Sequence, residues 1–212
     1  MTRRLALAVW VLVMAGTLPA RGQEIIDPPH VVVDRAAAEV LKRMDGQRDY
    51  LRGNPDVLYA MVEEVFLPHF DRAYAAAAVL GRHRRAASGS QRRRFTDALY
   101  NYVLRSYADG LLDFTSDRLE ILPFRGLPED TKATVRTKVY LDDGTQVPVN
   151  YSLRRGKDGP WRVWDVTIEG ISYVKNFREQ LDAEIRQDGL DAVISRLEAD
   201  AQQTAAPDTA RS

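Results

Sequence analysis

The sequence predicts an α+β domain built from N-terminal helices, a curved antiparallel sheet and a C-terminal helix pair. The evidence is a shift in hydrophobic spacing: apolar residues recur about every four positions up to about Leu111, every two after Phe114, and every four again from Phe177. The chain has 212 residues, 45% hydrophobic and 28% charged, which gives enough apolar side chains for one substantial core. That composition excludes a disordered, collagenous or membrane-bundle protein.

The first 22 residues have the order of a secretory signal peptide. Arg3 and Arg4 precede an apolar stretch, Leu5 to Ala15, and then come Gly16, Pro19 and small residues. The stretch is too short to cross a bilayer comfortably. Cleavage after Gly22 or after Ala20 both fit, so the expected organisation is a leader at 1–22, one domain at 23–200 and a flexible tail at 201–212.

In the remainder, Val31 to Leu51 reads as one helix, with Ala36, Val40 and Met44 on one face. Asn54 and Pro55 have the chemistry of an N-cap and first helical position, and Leu58, Met61, Val62 and Val65 form the stripe of a second helix that Pro68 ends. A third holds Tyr74 to Ala78 and stops at Gly81, a candidate left-handed cap. Ser88 and Gln91 have capping-box spacing and open a fourth, with Phe95, Leu99, Tyr102 and Val103 inward.

Strand signals follow. Leu119, Ile121 and Pro123 suggest a first strand, and Val135, Val139 and Leu141 alternate with Arg136, Lys138 and Tyr140 in a second. Asp142-Asp143-Gly144 is a hairpin turn into Val147, Val149, Tyr151 and Leu153. Lys157-Asp158-Gly159-Pro160 turns again into a strand where Trp164, Val166 and Ile168 share a face. Such a meander has one apolar face. Phe177, Leu181 and Ile185 start the last helix pair, which is broken at Asp188-Gly189.

Several chemistries are absent. There is no cysteine, and His30, His69 and His83 form no metal pattern. No Gly-rich phosphate loop or G-x-S-x-G elbow occurs. Asp165, beside Trp164 and Val166, is a candidate general base, but alternation puts it on the opposite face, where an arginine partner is expected. Beyond the leader 27 basic groups face 30 acidic ones, net −3, so nothing draws the protein to nucleic acid. Six arginines lie within thirteen residues, Arg82, Arg84, Arg85 and Arg92 to Arg94. Such a cluster suits phosphate groups or an acidic partner, and a solvated helix start is the plainer alternative.

Two stretches carry a resemblance. One combines Val65 to Asp71, Val79-Leu80-Gly81 with the arginines after it, and Gln91 to Phe95. The other is Gly159-Pro-Trp161-Arg-Val-Trp164-Asp165-Val-Thr-Ile-Glu169-Gly170-Ile171-Ser172-Tyr173-Val174, continued by Asn176-Phe177-Arg178 and by Gly189 to Leu197. Together they resemble the MlaC, or toluene-tolerance, family of periplasmic phospholipid carriers over most of residues 31–198. His83-Arg84 departs from it where an aromatic is expected.

The resemblance implies a nuclear-transport-factor-like cone enclosing an apolar cavity for phospholipid acyl chains, with no enzyme activity and no cofactor. The implied role is a periplasmic carrier between outer- and inner-membrane complexes of an Mla-type ABC transport system that maintains outer-membrane lipid asymmetry. Its implied partners are a diacyl phospholipid, an MlaA-like outer-membrane complex and an MlaD-like inner-membrane ring. The cavity candidates on the sheet are Val135, Val139, Val147, Val149, Tyr151, Val166, Ile168 and Ile171. On the helices they are Phe66, Phe70, Leu99, Tyr102, Val103 and Tyr107. Periodicity alone leaves each of them as compatible with solid core as with lipid. Arg82, Arg84 and Arg85 are the candidates for partner or headgroup contact. Two alternatives stay open: a small-molecule enzyme on a cone-like fold, and a lipid-free periplasmic adaptor.

Overall fold

A computed structural model of the protein describes residues 26–113, 119–127, 129–140, 143–156 and 159–204. The expected leader, part of two hairpin turns and the end of the tail lie outside these residues.

The expected α+β order is present. Helices α1 (Pro29–Met44), α2 (Arg48–Gly53), α3 (Pro55–Phe66), α4 (Arg72–Leu80) and α5 (Gly89–Tyr107) come first. Strands β1 (Leu119–Ile121), β2 (Lys132–Tyr140), β3 (Gln146–Arg154), β4 (Arg162–Ile168) and β5 (Ile171–Ser172) follow, and α6 (Tyr173–Asp188) and α7 (Leu190–Thr204) end the order. The sheet is antiparallel in the order β1-β2-β3-β4-β5, so it is open rather than closed on itself.

The helix starts follow local chemistry. Ser88 accepts from the Gln91 N–H while the Gln91 side chain accepts from the Ser88 N–H, the reciprocal pair the spacing predicts. Asp71 caps α4 through the Tyr74 N–H, and Gly81 ends that helix at φ 51°, a positive φ but with ψ −120°, outside the left-handed helical basin. A Cβ at Gly81 would sit 3.4 Å from Arg178 Cδ, and the Arg178 Nε donates to the Ala78 carbonyl at 2.5 Å. The Cβ distance is ordinary contact, so it is the positive φ rather than crowding by α6 that calls for glycine here.

Several expectations need correction. The single helix over Val31 to Leu51 is two, because Gly46 at φ 67° breaks the run. Asn54 stands at the N-cap of α3 before Pro55, as predicted, but its side chain donates to the Tyr50 carbonyl of α2 instead of accepting from α3. Strand β1 stops before Pro123. Helix α7 continues to Thr204 with Ala201 buried, past the expected start of the tail.

The most consequential difference is in β4. Ser152 pairs with Asp165 but Leu153 pairs with Val163, so Trp164 is a bulge residue and leaves the face of Val166 and Ile168. It packs instead on the helical core, with its ring edge-on to Tyr74 at 5.2 Å. Asp165 lies opposite Val166 as predicted, but it is buried, only 6% exposed, and its partners are not an arginine. Its carboxylate accepts from the Ser172 hydroxyl at 2.7 Å and from the Val174 N–H at 3.0 Å, at the start of α6.

The core has three parts. The largest joins α4, α5, α6 and α7 through Phe95, Leu99, Phe177, Leu181, Ile194 and their neighbours. A second joins α1, α2 and α3 to the end of α5 through Met44, Leu58 and Leu104. In the third, Val32 and Val33 of α1 sit on Val135, Leu153 and Trp161 of the sheet.

Two expected outcomes follow. Asp165→Ala leaves the half-buried Ser172 hydroxyl and the buried Val174 N–H without their acceptor, a cost of about 2–3 kcal/mol. Thermal unfolding should register it as a loss of about 5–10 °C. Asp165→Asn, which keeps an acceptor oxygen, should lose less, and an unchanged Tm in the alanine variant would refute this account of the junction. The second concerns Asp182, whose carboxyl is held below the ordinary range by the His83 hydrogen bond, with Arg82 and Arg186 adding to it and burial opposing. A depressed folded value means its stabilisation is present above about pH 3.9, the unfolded value, and is lost as pH falls through the folded one. Thermal unfolding between pH 7 and 2.5 should therefore show a shallower acid limb for Asp182→Asn than for the parent.

Candidate functional site

Cross-strand register puts one apolar surface on the sheet. Leu119 lies opposite Val139, Val139 opposite Val147, Val149 opposite Ile168, Tyr151 opposite Val166, and Ile168 opposite Ile171. Residues directly opposite share a face, so these side chains are one surface. It continues through Val135 and Leu153 to the end of the sheet that α1 covers.

The two ends of this face differ. Under α1, Val135 and Leu153 are fully buried, and Tyr151 packs beside them with its hydroxyl pushed up in pKa by burial. Toward the β2–β3 hairpin, Leu119, Val139, Val147, Val149, Val166, Ile168 and Ile171 belong to none of the three core clusters. Val149 is buried, Ile171 is 61% exposed, and the rest are half-buried. Among the described residues these side chains join no core cluster, although Val149 and Thr137, which pair across β2 and β3, are 7% and 1% exposed, so this end of the face is packed less continuously than the end under α1.

Beside it stands an aromatic row. Tyr173, the residue after β5, meets Tyr107 of α5 edge-on at 5.6 Å and Phe177 at 6.4 Å, and Phe177 meets Tyr102 edge-on at 6.2 Å. Tyr107 is 49% exposed, yet partial burial and the neighbouring phenols of Tyr173 and Tyr102 raise its hydroxyl pKa.

The sequence candidates therefore separate. Val139, Val147, Val149, Val166, Ile168 and Ile171 come together on the hairpin end of the face, while Val135 is core beneath α1 and Tyr151 stands at the border. On the helices, Leu99 is inside the main core with Phe70, Tyr102 and Val103 against it, Phe66 packs on the second cluster, and Tyr107 alone is exposed. Sequence reasoning missed Leu119, Tyr173 and Phe177 as members of this region. Pairing of Leu119 with Val139 is the signal that finds the first, and the four-residue step from Tyr173 to Phe177 finds the others.

Two shallow hollows lie among the described residues, of about 220 and 230 Å³. One lies between α5 and α7 beside Asp97, Asn101, Arg105 and Glu198, the other at the β3–β4 turn beside Asp71, Arg154 and Arg162. Both are polar and neither touches the hairpin end of the apolar face. Neither of these two hollows is the expected apolar cavity.

The arginine cluster also divides. Arg82 forks onto Asp182 of α6 at 2.8 and 2.6 Å, and His83, at the position of the departure from the family pattern, reaches the same carboxylate at 2.8 Å. Arg94 pairs with Glu198, and Arg92 donates to the Ala87 carbonyl. Arg84 and Arg85 are exposed and, among the described residues, pair with no carboxylate.

Comparison with known proteins agrees with this architecture. A curated relative, the intermembrane phospholipid transport system binding protein MlaC of Haemophilus influenzae, is 22% identical over 177 residues, covering 82% of this chain and 83% of its own. Toluene tolerance protein ttg2D of Pseudomonas putida is 25% identical over 164 residues, covering 77% and 75%. Among solved structures, the phospholipid-binding protein of Ralstonia solanacearum, determined in complex with a phospholipid, superposes with a TM-score of 0.75 at 24% identity. That alignment covers 85% of this chain and 100% of the other, and it shows that the fold is shared. The family model described as MlaC protein matches residues 34–199, which spans every element from α1 to α7, and the chain belongs to the MlaC family.

Proposed function

We propose that the protein is a phospholipid carrier that takes a diacyl lipid across the aqueous periplasm between membrane-bound complexes of an Mla-type transport system. The observation that supports it is the apolar face from Leu119 to Ile171, which joins none of the three core clusters, in a chain whose relatives are named for phospholipid transport. The acyl chains lie along Val139, Val147, Val149, Val166, Ile168 and Ile171, with the row of Tyr107 and Tyr173 beside them.

Energetics favour such a surface. Two palmitoyl-sized chains carry about 28 methylenes, worth roughly 20 kcal/mol in water at ~0.8 kcal/mol each. A carrier has to offset nearly all of this without exceeding what a bilayer offers, or it would never release its load. Aliphatic walls do so because burial is nondirectional and tolerates different chains.

The same residues argue against an enzyme. Among the described residues the paired apolar positions of this face hold no Asp, Glu or His, and Asp165, on the other face of β4, is occupied at the start of α6. Arg84 and Arg85 suit docking on an acidic surface of a membrane complex, an MlaA-like one at the outer membrane or an MlaD-like ring at the inner, since both are exposed and, among the described residues, neither pairs with a carboxylate.

Two experiments test this. Protein purified from a bacterial periplasm without detergent should release a diacyl phospholipid on denaturation, read by native mass spectrometry. Ile171→Glu should fold, because the side chain is 61% exposed, yet retain little lipid. Val149→Glu is the weaker probe, since its site is buried and the charge costs stability. A lipid load in Ile171→Glu equal to the parent's would move the site elsewhere. The double variant Arg84→Glu, Arg85→Glu should keep its lipid but lose about tenfold or more in affinity for membrane complexes at low salt. Docking unchanged by the reversal would assign those arginines no role in it.

A further inference from the structure

The side of the sheet away from the apolar surface carries an arrangement that holding acyl chains does not use. Register places Lys132, Arg136 and Lys138 of β2, Arg154 of β3 and Arg162 of β4 on that side. Lys132 lies directly opposite Arg154, and Arg154 directly opposite Arg162, so three cations form one row across three strands. Like charges opposed across a ladder repel. Asp71 offsets one of them, accepting from Arg154 at 2.7 Å.

The acids on this side are already engaged. Glu120 of β1, opposite Lys138, lies 4.0 Å from its ammonium and accepts from the Tyr140 hydroxyl at 2.6 Å. Asp165 is buried at the start of α6. Lys132, Arg136 and Arg162 are exposed and, among the described residues, pair with no carboxylate. Between the cations stand Thr134, Asn150 and Ser152, and no large exposed apolar side chain of the described residues belongs to these strand positions. A specific protein interface has an apolar or aromatic centre within its polar rim, and this side of the sheet lacks one. A basic surface without such a centre matches negative charge that is spread out and has no fixed shape, as on a lipid surface.

We propose that this side of the sheet docks the protein on an anionic phospholipid bilayer through Lys132, Arg136 and Arg162. Each Lys or Arg close to such a surface strengthens binding about fivefold. Beyond residue 22 the chain carries 27 basic and 30 acidic groups, net −3, so the attraction is short-ranged and orients this side toward the bilayer. The apolar side chains from Leu119 to Ile171 are then on the opposite side of the strands. Docking therefore holds the protein at a membrane without drawing lipid out of it, and the search for a membrane complex runs along a surface. This inference needs no occupant on the apolar face.

The test is co-sedimentation with vesicles made of equal parts phosphatidylcholine and phosphatidylglycerol at low salt, with pure phosphatidylcholine vesicles as the blank. The parent should bind the mixed vesicles and not the blank, and should be released as salt rises. The double variant Lys132→Gln, Arg136→Gln should bind about tenfold or more weakly, and Arg162→Gln, on another strand, about fivefold more weakly. The double variant Arg84→Gln, Arg85→Gln removes the same charge elsewhere and should change far less. All five side chains are exposed, so these variants should melt with the parent. Equal losses in the two double variants would reduce the effect to overall charge and overturn the proposal, as would a parent that binds neither vesicle or both alike. Vesicles left unbound, with Lys132→Gln, Arg136→Gln losing its hold on the membrane complexes, would assign this side to a protein and overturn it too. Ile171→Glu should bind the mixed vesicles as the parent does whatever its lipid load, so the carrier reading and this one fail independently.

Discussion

A buried carboxylate without a cation holds the sheet to the helices. Asp165 sits in the middle of β4, and its two hydrogen bonds go to Ser172 and Val174, seven and nine residues later, across the tight turn at Glu169-Gly170. The negative charge lies at the N-terminus of α6, where the helix dipole and the free N–H groups favour it. Because α6 then leaves the sheet in one direction only, Phe177, Leu181 and Ile185 meet α4 and α5, and Tyr173 faces Tyr107. The bulge at Trp164 belongs to the same device. It turns the indole onto Tyr74 of α4, whose other neighbour, Arg154, holds Asp71 at the head of that helix.

This bracing leaves the hairpin end of the apolar face outside the three core clusters of the described residues. In most α+β domains the helices lie on the sheet, and the burial between them is the main source of stability. Here the main core lies between helices, with α1 seated on one end of the sheet and α4 and α6 meeting it along β4. The junctions at Asp71 and Asp165 replace broad packing with a few directional contacts that fix position without filling the space over the strands. A sheet packed along its whole face would be more stable and would have no surface left for a lipid.

The sequence made much of this readable, for identifiable reasons. Helices with capping chemistry and a clear apolar stripe, α4 to α6, are legible because each side chain acts locally, as Ser88 and Gln91 do. Gly46 broke α1 from α2 inside a run whose apolar spacing continues across it, and spacing does not sense φ. The bulge at Trp164 was invisible for a related reason: strict alternation assumes one residue per step, and a bulge is set by the partner strand. In the site, the apolar character of the face was legible from alternation, since it depends on each strand alone. Which half is covered was not, because that depends on where α1 lands some hundred residues earlier in the chain. Arg82 shows the same limit from the other side. In sequence it is one of six equivalent arginines, and in the fold Asp182 of α6, a hundred residues away, distinguishes it from Arg84 and Arg85.

The hairpin end of the face also bears on how a carrier releases its load. A sealed chamber has to open before a lipid can leave, and opening exposes both the wall and the ligand to water. At about 25 cal/mol per Å² of apolar area, even a few hundred Å² exposed together adds several kcal/mol to the barrier. An open sheet face avoids most of that cost, because acyl chains can leave sideways while an acceptor's apolar surface replaces water step by step. Ile171 and Tyr107, exposed at 61% and 49%, stand where such an exchange would begin, at the rim between β5, the row of tyrosines and solvent. Apolar side chains at a rim cost little when the site is filled and are the first groups an approaching apolar surface can cover. On the carrier role proposed above, an apolar rim of this kind keeps loading and unloading close to balance.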